Sequence, residues 1–395
     1  MTKIFQFDNI QDKFGFYQSG NFKTYSKLEA IEVETKTGHS VRWNFNDQEF
    51  SQYNWTVEPT ESIGELYRQR AQQLRDNYDY IILVYSSGAD SDNILTTFIN
   101  NDIKLDEILM LTNDAGTKDK NHKFNKEIYQ VAVVRAKEAE VKQPDLKSRI
   151  VDIVPLTLEY FSTVKPGLDY VYTTNGYLSP SHVGKNKIRD HVPEWQRMID
   201  AGKKVVFVWG TDKPIVRGIN GSYYFMCRDM VGNAVSAAQQ IENVPGIFDE
   251  FFYWSPDCVP MLIKQGHIIK NYLKSVTENN LFVTTSPAEV PKFRRYLRAG
   301  KFENKKVYSM TNDGLHTLIY PNWRDNIYTY KSGIEVLSVR DEWLYDMSDA
   351  FELKHLVKTG FRGVRQHIPT HWTFNTKNLF IGIKPCYSMM HYLGT

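Results

Sequence analysis

The chain has three cysteines in 395 residues, Cys227, Cys258 and Cys386, far apart and with no C-x-x-C pair. That scarcity excludes a disulfide framework and argues against zinc ribbons and cysteine-held iron–sulfur clusters. Net charge is nearly absent, since 48 Lys and Arg stand against 46 Asp and Glu to give +2. No overall field therefore draws in nucleic acid or an anionic membrane, and only a local basic groove would serve a polyanion. Apolar runs of membrane-spanning length are missing, and residues 1–16 contain no continuous apolar stretch of the secretory type. These absences predict a reduced, soluble, cytoplasmic protein. What is abundant is apolar and aromatic: 42% of residues are hydrophobic, with 22 Phe, 24 Tyr and 8 Trp, enough to offset chain entropy in a sizeable core.

Three regions follow from the patterning. Residues 1–58 alternate apolar and polar positions in short runs such as Val41-Arg42-Trp43-Asn44-Phe45, which predicts a small β-rich N-terminal module with a short helix near 26–32 capped by Ser26. From 59 to 250, Leu66, Tyr67, Ala71 and Leu74 fall at helical spacing. Buried-strand runs at 79–85, 107–112, 150–154 and 204–209 then alternate with helical stretches at 91–101, 120–139 and 193–201. This predicts an α/β domain, a doubly wound and mainly parallel sheet with crossover helices. Residues 251–395, with candidate helices at 259–276, 287–299 and 341–358, read as a helix-rich C-terminal region for substrate or partner.

The sharpest local signal is Tyr85-Ser86-Ser87-Gly88-Ala89-Asp90-Ser91, where a buried strand ends and a helix begins. Ligands of open α/β sheets bind outside the carboxyl ends of strands, and a helix start offers unpaired N–H groups and a positive dipole end to a phosphate. Gly88 permits close backbone approach, and Ser86 and Ser91 add hydroxyls. A carboxylate at Asp90 beside phosphates calls for an intervening cation such as Mg²⁺. A purely structural Ser-Asp capped turn has the same composition.

Ser86–Ser91 resembles the S-G-G-x-D-S loop of the PP-loop superfamily, the ATP pyrophosphatases that include asparagine synthetase, GMP synthetase, argininosuccinate synthetase and tRNA-lysidine synthetase. Ala89 takes the free position and Ser87 replaces the first glycine. A Walker A loop is excluded, because Gly184-Lys185 is followed by Asn186 with no upstream glycine in place. The resemblance extends over about 60–215. It implies a HUP-like sheet that binds ATP with Mg²⁺ at Ser86, Ser87, Gly88, Ala89, Asp90 and Ser91, and releases AMP and pyrophosphate. Gly210 and Asp212, in Gly210-Thr211-Asp212-Lys213-Pro214, are similar to a second loop of asparagine synthetase-like members. That likeness implies Asp90 and Asp212 as metal-facing carboxylates, with Lys213 or Arg217 neutralising the leaving pyrophosphate; an ordinary capped turn stays open. Adenine is implied near Leu111, Thr112 and Asn113. The run from Tyr253 through Lys270 resembles a segment of asparagine synthetase-like proteins encoded by tailed phages. It would aim His267 and Lys270 at the substrate side and set the protein in a host cytoplasm.

Missing pieces narrow the family further. Thr2 follows Met1 where the glutaminase domain of glutamine-dependent asparagine synthetases would carry its nucleophilic cysteine, so the resemblance implies free ammonia or another amine as the expected co-substrate. The zinc cysteines of 7-cyano-7-deazaguanine synthases and the sulfur-carrying cysteines of thiolating members are also missing. The expectation is an adenylating ligase that activates a small molecule's carboxylate or carbonyl for attack by an amine, asparagine synthetase-like and without a glutaminase domain. Two other readings stay open. One is a nucleobase-modifying enzyme on RNA or DNA, with Lys354, Lys358, Arg362, Arg365 and Lys377 interleaved with Phe361, Trp372 and Phe374, and the run Phe293-Arg294-Arg295-Tyr296, as its groove. The other is a catalytically inactive nucleotide-binding regulatory or interaction protein. Zinc at His355, His367, His371 and Cys386 is disfavoured, because Pro369 interrupts the helix that would align the rings.

Overall fold

A computed structural model describes residues 15–112, 114, 125, 127–163, 188–210, 215–229, 245–278, 297–302, 305–310, 318–321, 369–375 and 381–395. Strands β1 (Phe16–Ser19), β2 (Phe22–Thr24) and β3 (Val41–Asn44) form an antiparallel sheet in the order β2-β1-β3. Between β2 and β3 lies α1 (Lys27–Thr37). It starts where the Ser26 side chain accepts from the Glu29 N–H and ends at Gly38, whose φ of 75° is the left-handed stop that glycine supplies without strain. The predicted helix thus runs on to Thr37.

The first residue of α1 carries an unusual burden. Lys27 is fully buried 2.6 Å from the Asp229 carboxylate, and its ammonium also donates to the Lys384 carbonyl at 2.5 Å. Asp229 further accepts from the Tyr17 hydroxyl at 2.7 Å and the Cys386 N–H at 2.6 Å. One ion pair therefore joins β1, α1 and the C-terminal stretch.

A short helix α2 (Asp47–Phe50) leads to α3 (Ile63–Asn77). Ser62 and Glu65 cap α3 reciprocally: the Ser62 hydroxyl accepts from the Glu65 N–H at 3.2 Å and the Glu65 carboxylate accepts from the Ser62 N–H at 2.7 Å. Leu66, Tyr67, Arg70, Ala71 and Leu74 form its buried face.

The central sheet follows. Strands β4 (Tyr80–Val84), β5 (Glu107–Thr112), β6 (Lys147–Asp152), β7 (Val205–Trp209) and a fifth, β10 (Ile247–Phe251), are all parallel in the order β10-β7-β4-β5-β6. Helices α4 (Ala89–Asn100), α5 (Val133–Lys142), α6 (Ile153–Thr163) and α7 (Pro193–Asp200) accompany it. The near-continuous apolar runs Tyr80-Ile81-Ile82-Leu83 and Val205-Val206-Phe207-Val208 are buried, as expected for strands covered on both faces. The chain walks outward from β4 through β5 to β6, then returns to β4's other side with β7 and β10. Its order therefore reverses between β4 and β7, an arrangement compatible with a doubly wound fold.

The strand predicted over 150–154 is shifted to Lys147–Asp152. The Asp152 carboxylate accepts from the Val154 N–H at 2.9 Å, which turns the chain into α6 at Ile153 although Ile-Val is a strand-favouring pair. Of the helix predicted over 120–139, the described part is a π-helical turn, Ile128–Ala132, running into α5.

A second sheet, β11-β12-β8-β9-β15, is antiparallel throughout and is built from β8 (Ile215–Ile219), β9 (Ser222–Met226), β11 (Leu297–Phe302), β12 (Lys305–Met310) and β15 (His391–Gly394). The long helix α8 (Val259–Glu278), where 259–276 was predicted, packs on β8, β9 and β15. Strands β13 (Thr373–Asn375) and β14 (Ile381–Ile383) make a separate antiparallel pair. The helix predicted over 341–358 lies outside the described residues, and β11 occupies the end of the one predicted over 287–299.

Trp55, Phe50, Phe225 and His391 pack together where the N-terminal sheet meets β9 and β15. His391 stacks on Trp55 with ring centroids 4.3 Å apart, and its Nε2 makes no hydrogen bond. Burial pushes the imidazole down from 6.5 to about 4. The unfolded chain then binds a proton near pH 6.5 that the folded chain refuses until about 4, so stability is full above 6.5 and is lost as pH falls toward 4. The effect is on the order of 3 kcal/mol. His391→Phe keeps the stack and removes the titration. Urea unfolding at pH 7 and pH 4.5 is expected to show a smaller loss for the variant than for the parent.

Candidate functional site

The switch point between β4 and β7 is where the loop of interest lies. Val84 pairs with Trp209 in the parallel ladder, so Tyr85–Ser91 and Gly210 emerge side by side at the same carboxyl edge. Leu111 and Thr112 end the adjoining strand β5 on that edge too, half-buried and buried respectively. Six loop positions, Leu111, Thr112 and Gly210 are thus gathered from three strands. Thr211, Asp212, Lys213 and Pro214 lie outside the described residues, as does Asn113. Arg217, on β8, sets its guanidinium over the Tyr387 ring at 4.5 Å.

The loop ties itself into a turn. Ser91 Oγ accepts from the Ser86 N–H at 3.2 Å and donates to the Gly88 carbonyl at 3.3 Å, while Ser86 Oγ accepts from the Gly88 N–H at 3.4 Å. Gly88 is the N-cap of α4 and supplies no side-chain cap, so the leading N–H groups of this 12-residue helix face the strand edge without a side-chain acceptor from the cap. One residue earlier, Ser87 has φ 58°, a left-handed conformation that glycine adopts freely and serine does not. This accounts physically for glycine at that position in the motif the loop resembles. The Ser87 hydroxyl is also buried without a hydrogen-bond partner.

Ser87→Gly relieves the backbone strain and removes the unpaired hydroxyl, against a larger unfolded-state entropy. It is expected to stabilise the protein by about 1 kcal/mol, read as an upward shift in thermal midpoint.

Gly210 is needed for contact. A β-carbon there would lie 3.0 Å from Ile94 Cδ1, 3.1 Å from the Ser91 nitrogen and 3.2 Å from the Asp90 carbonyl carbon, so β7 ends flush against the start of α4. Asp92, one turn in, is spoken for: it accepts from the Tyr85 hydroxyl at 2.8 Å and pairs with Arg135 Nε at 3.2 Å. Those bonds clamp α4 to β4 and α5.

Asp90, half-exposed at the first turn of α4, is surrounded by tyrosines that the motif does not contain. The Tyr320 hydroxyl donates to Asp90 Oδ1, and the Tyr253 hydroxyl donates to the Asp90 carbonyl at 2.8 Å and accepts from Asn93 Nδ2 at 2.9 Å. Tyr67 joins them, with ring centroids 5.6 Å from Tyr253 and 6.4 Å from Tyr320, and donates to the Ile319 carbonyl at 3.1 Å. Burial, reinforced by the Asp90 charge, pushes all three phenols well above 10, so they remain hydrogen-bond donors at any working pH. Tyrosines scattered over 253 residues have no shared period, and only their contact marks them.

A second polar group sits past the end of β5, where the Asp114 carboxylate accepts from the Tyr129 hydroxyl and from Asn125 Nδ2 at 2.9 Å. Tyr129 lies on the π-helical turn, a local irregularity that often accompanies functional positions.

The positions expected on α8 do other work. His267 is buried, its Nε2 2.9 Å from the Trp55 carbonyl, and Lys270 donates to the Leu393 carbonyl at 2.9 Å, so both pin α8 to neighbouring segments. Among the described residues no group of three or more His, Cys, Asp or Glu could hold a metal ion. His371 is exposed beside Glu34 at 3.8 Å, Cys386 is buried, and His355 and His367 lie outside the described residues. So do the basic and aromatic positions 293–296, Lys354, Lys358, Phe361, Arg362, Arg365 and Lys377; Trp372 is described, donating to Glu34 at 3.0 Å. No described helix is long and apolar enough to cross a membrane. No protein-family model matches this sequence, and no curated protein matches it.

Proposed function

We propose that the chain is an ATP-dependent adenylating enzyme of PP-loop type, with a HUP-like sheet, which splits ATP to AMP and pyrophosphate to activate a small molecule's carboxylate or carbonyl oxygen for attack by an amine or ammonia. The observation that carries the reading is the left-handed Ser87 in a loop that opens an uncapped α4 at the β4–β7 switch point.

The residues suit a polyphosphate. The leading N–H groups of α4 and the exposed Ser86 hydroxyl offer donors to phosphate oxygens. Gly210 lets β7 and the start of α4 meet without a side chain between them, which sets the loop against the strand edge. Magnesium, when bound with the nucleotide, would be held by Asp90, with Asp212 as a second carboxylate, and would offset phosphate charge. In the first step a substrate oxygen bonds to the α-phosphorus as the bond to the β-phosphate oxygen breaks. The start of α4 and Ser86 hold the departing pyrophosphate, and Lys213 is assigned to neutralise it. In the second, an amine displaces AMP from the activated carbon. Positioning and charge neutralisation are the main contributions of such a site.

The test is incubation with ATP, Mg²⁺, ammonium and a pool of metabolites, followed by measurement of AMP and pyrophosphate. ADP with orthophosphate would overturn the reading. One observation favours a second: the Tyr320 hydroxyl on Asp90 suits a nucleotide-binding protein whose carboxylate is used structurally. ATP binding without AMP formation from any pool would decide for it.

A further inference from the structure

We infer that Tyr320 is a positioning residue for Asp90, through which the chain beyond β12 sets the geometry of the nucleotide loop; this rests on the adenylating reading for its consequence, and on contact geometry for its substance. Asp90 stands at the first turn of α4 with its carboxylate half-exposed. Two of its acceptor atoms are addressed by different tyrosines: Tyr320 donates to the carboxylate and Tyr253 to the main-chain carbonyl. The backbone bond fixes where the helix starts. The side-chain bond fixes how the carboxylate is turned.

Tyr320 is itself held firmly. Its ring packs on Tyr253 at 5.3 Å and on Tyr67 at 6.4 Å, and the Tyr67 hydroxyl donates to the carbonyl of the preceding residue, Ile319. Gln265 Nε2 in turn donates to the Tyr67 hydroxyl at 3.4 Å, since that hydroxyl has already given its proton to Ile319. α3, α8 and the stretch after β10 therefore all converge on residues 319–320. A charge-assisted bond to a carboxylate is stronger than a neutral one, and here the donor is buried and cannot be replaced by water without disturbing the ring cluster. Partners that orient a ligating carboxylate typically matter by about 10- to 100-fold in metal affinity or activity.

Tyr320→Phe keeps the ring and removes the donor. Three measurements apply: the Asp90 rotamer in crystal structures of parent and variant, the Mg²⁺ concentration giving half-maximal ATP binding by calorimetry, and the thermal midpoint. The expected result is a changed or split Asp90 rotamer and a Mg²⁺ requirement raised about 10- to 100-fold. The midpoint should shift no more than that of Tyr67→Phe, whose phenol bonds Ile319 and not Asp90. An unchanged Asp90 rotamer overturns the inference, as does a Mg²⁺ requirement that moves equally in Tyr67→Phe. If the parent binds no ATP, the adenylating reading fails, and the rotamer alone decides for or against Tyr320.

Discussion

Asp229→Ala is expected to destabilise the protein by about 3–5 kcal/mol, a large part of the roughly 5–15 kcal/mol that holds a typical protein folded. The variant leaves the Lys27 ammonium fully buried without a counter-charge, against the Lys384 carbonyl and the Tyr17 and Trp372 rings, and it strips the Tyr17 hydroxyl and the Cys386 N–H of their shared acceptor. Lys27→Met should do less harm. Burial already raises the Asp229 carboxyl above its ordinary 3.8, against the opposing pull of Lys27. Without the lysine the carboxyl can take up a proton and still serve Tyr17 and Cys386. Its folded-state pKa then lies above its unfolded one, so its contribution is present at low pH and is lost as pH rises. Relative to the parent at the same pH, Lys27→Met should lose less stability at pH 5 than at pH 8. Denaturant unfolding of both variants at both pH values checks the ordering, and equal losses for the two would refute it.

On the adenylating reading proposed above, Asp90→Ala is expected to lower AMP-forming turnover about 10²- to 10³-fold, the usual scale for removing one group that stabilises developing charge. Stability should fall by about 1–3 kcal/mol, because the buried Tyr320 hydroxyl loses its acceptor. The carboxylate is half-exposed, and its favourable place at a helix N-terminus contributes about 0.3–1 kcal/mol. Asp92→Ala offers the contrast: that carboxylate answers Tyr85 and Arg135 inside the fold, so its loss should reduce thermal stability more than Asp90→Ala does. Pyrophosphate release by both variants, with thermal midpoints alongside, separates the two roles. Turnover undiminished in Asp90→Ala would remove the carboxylate from the reaction.

How far the sequence could be read depended on the range of the forces involved. The strand Tyr80–Val84, the turn after it and the helix from Ala89 were legible because a buried apolar run, a Ser-Gly-Asp turn and helical spacing are local. The Ser26-capped start of α1 and the helical spacing of α3 were legible for the same reason, whereas the Ser62–Glu65 cap was not read. The end of β6 was misplaced because one side chain, Asp152, outbid the strand preference of Ile153 and Val154. His267 and Lys270 were correctly set on one helix, but spacing does not reveal what a helix face meets. It meets Trp55 and Leu393.

By itself, then, the sequence determined four of the five parallel strands of the central sheet and the turn at Ser86–Ser91, both written in neighbouring residues. Only the tertiary structure decided that β7 returns beside β4, which brings Gly210 against the start of α4. It also brought Tyr67, Tyr253 and Tyr320 around Asp90, and buried Lys27 against Asp229. These partners lie far apart in the chain, Asp90 and Tyr320 by 230 residues. Their meeting depends on strand order and burial, which no local pattern encodes.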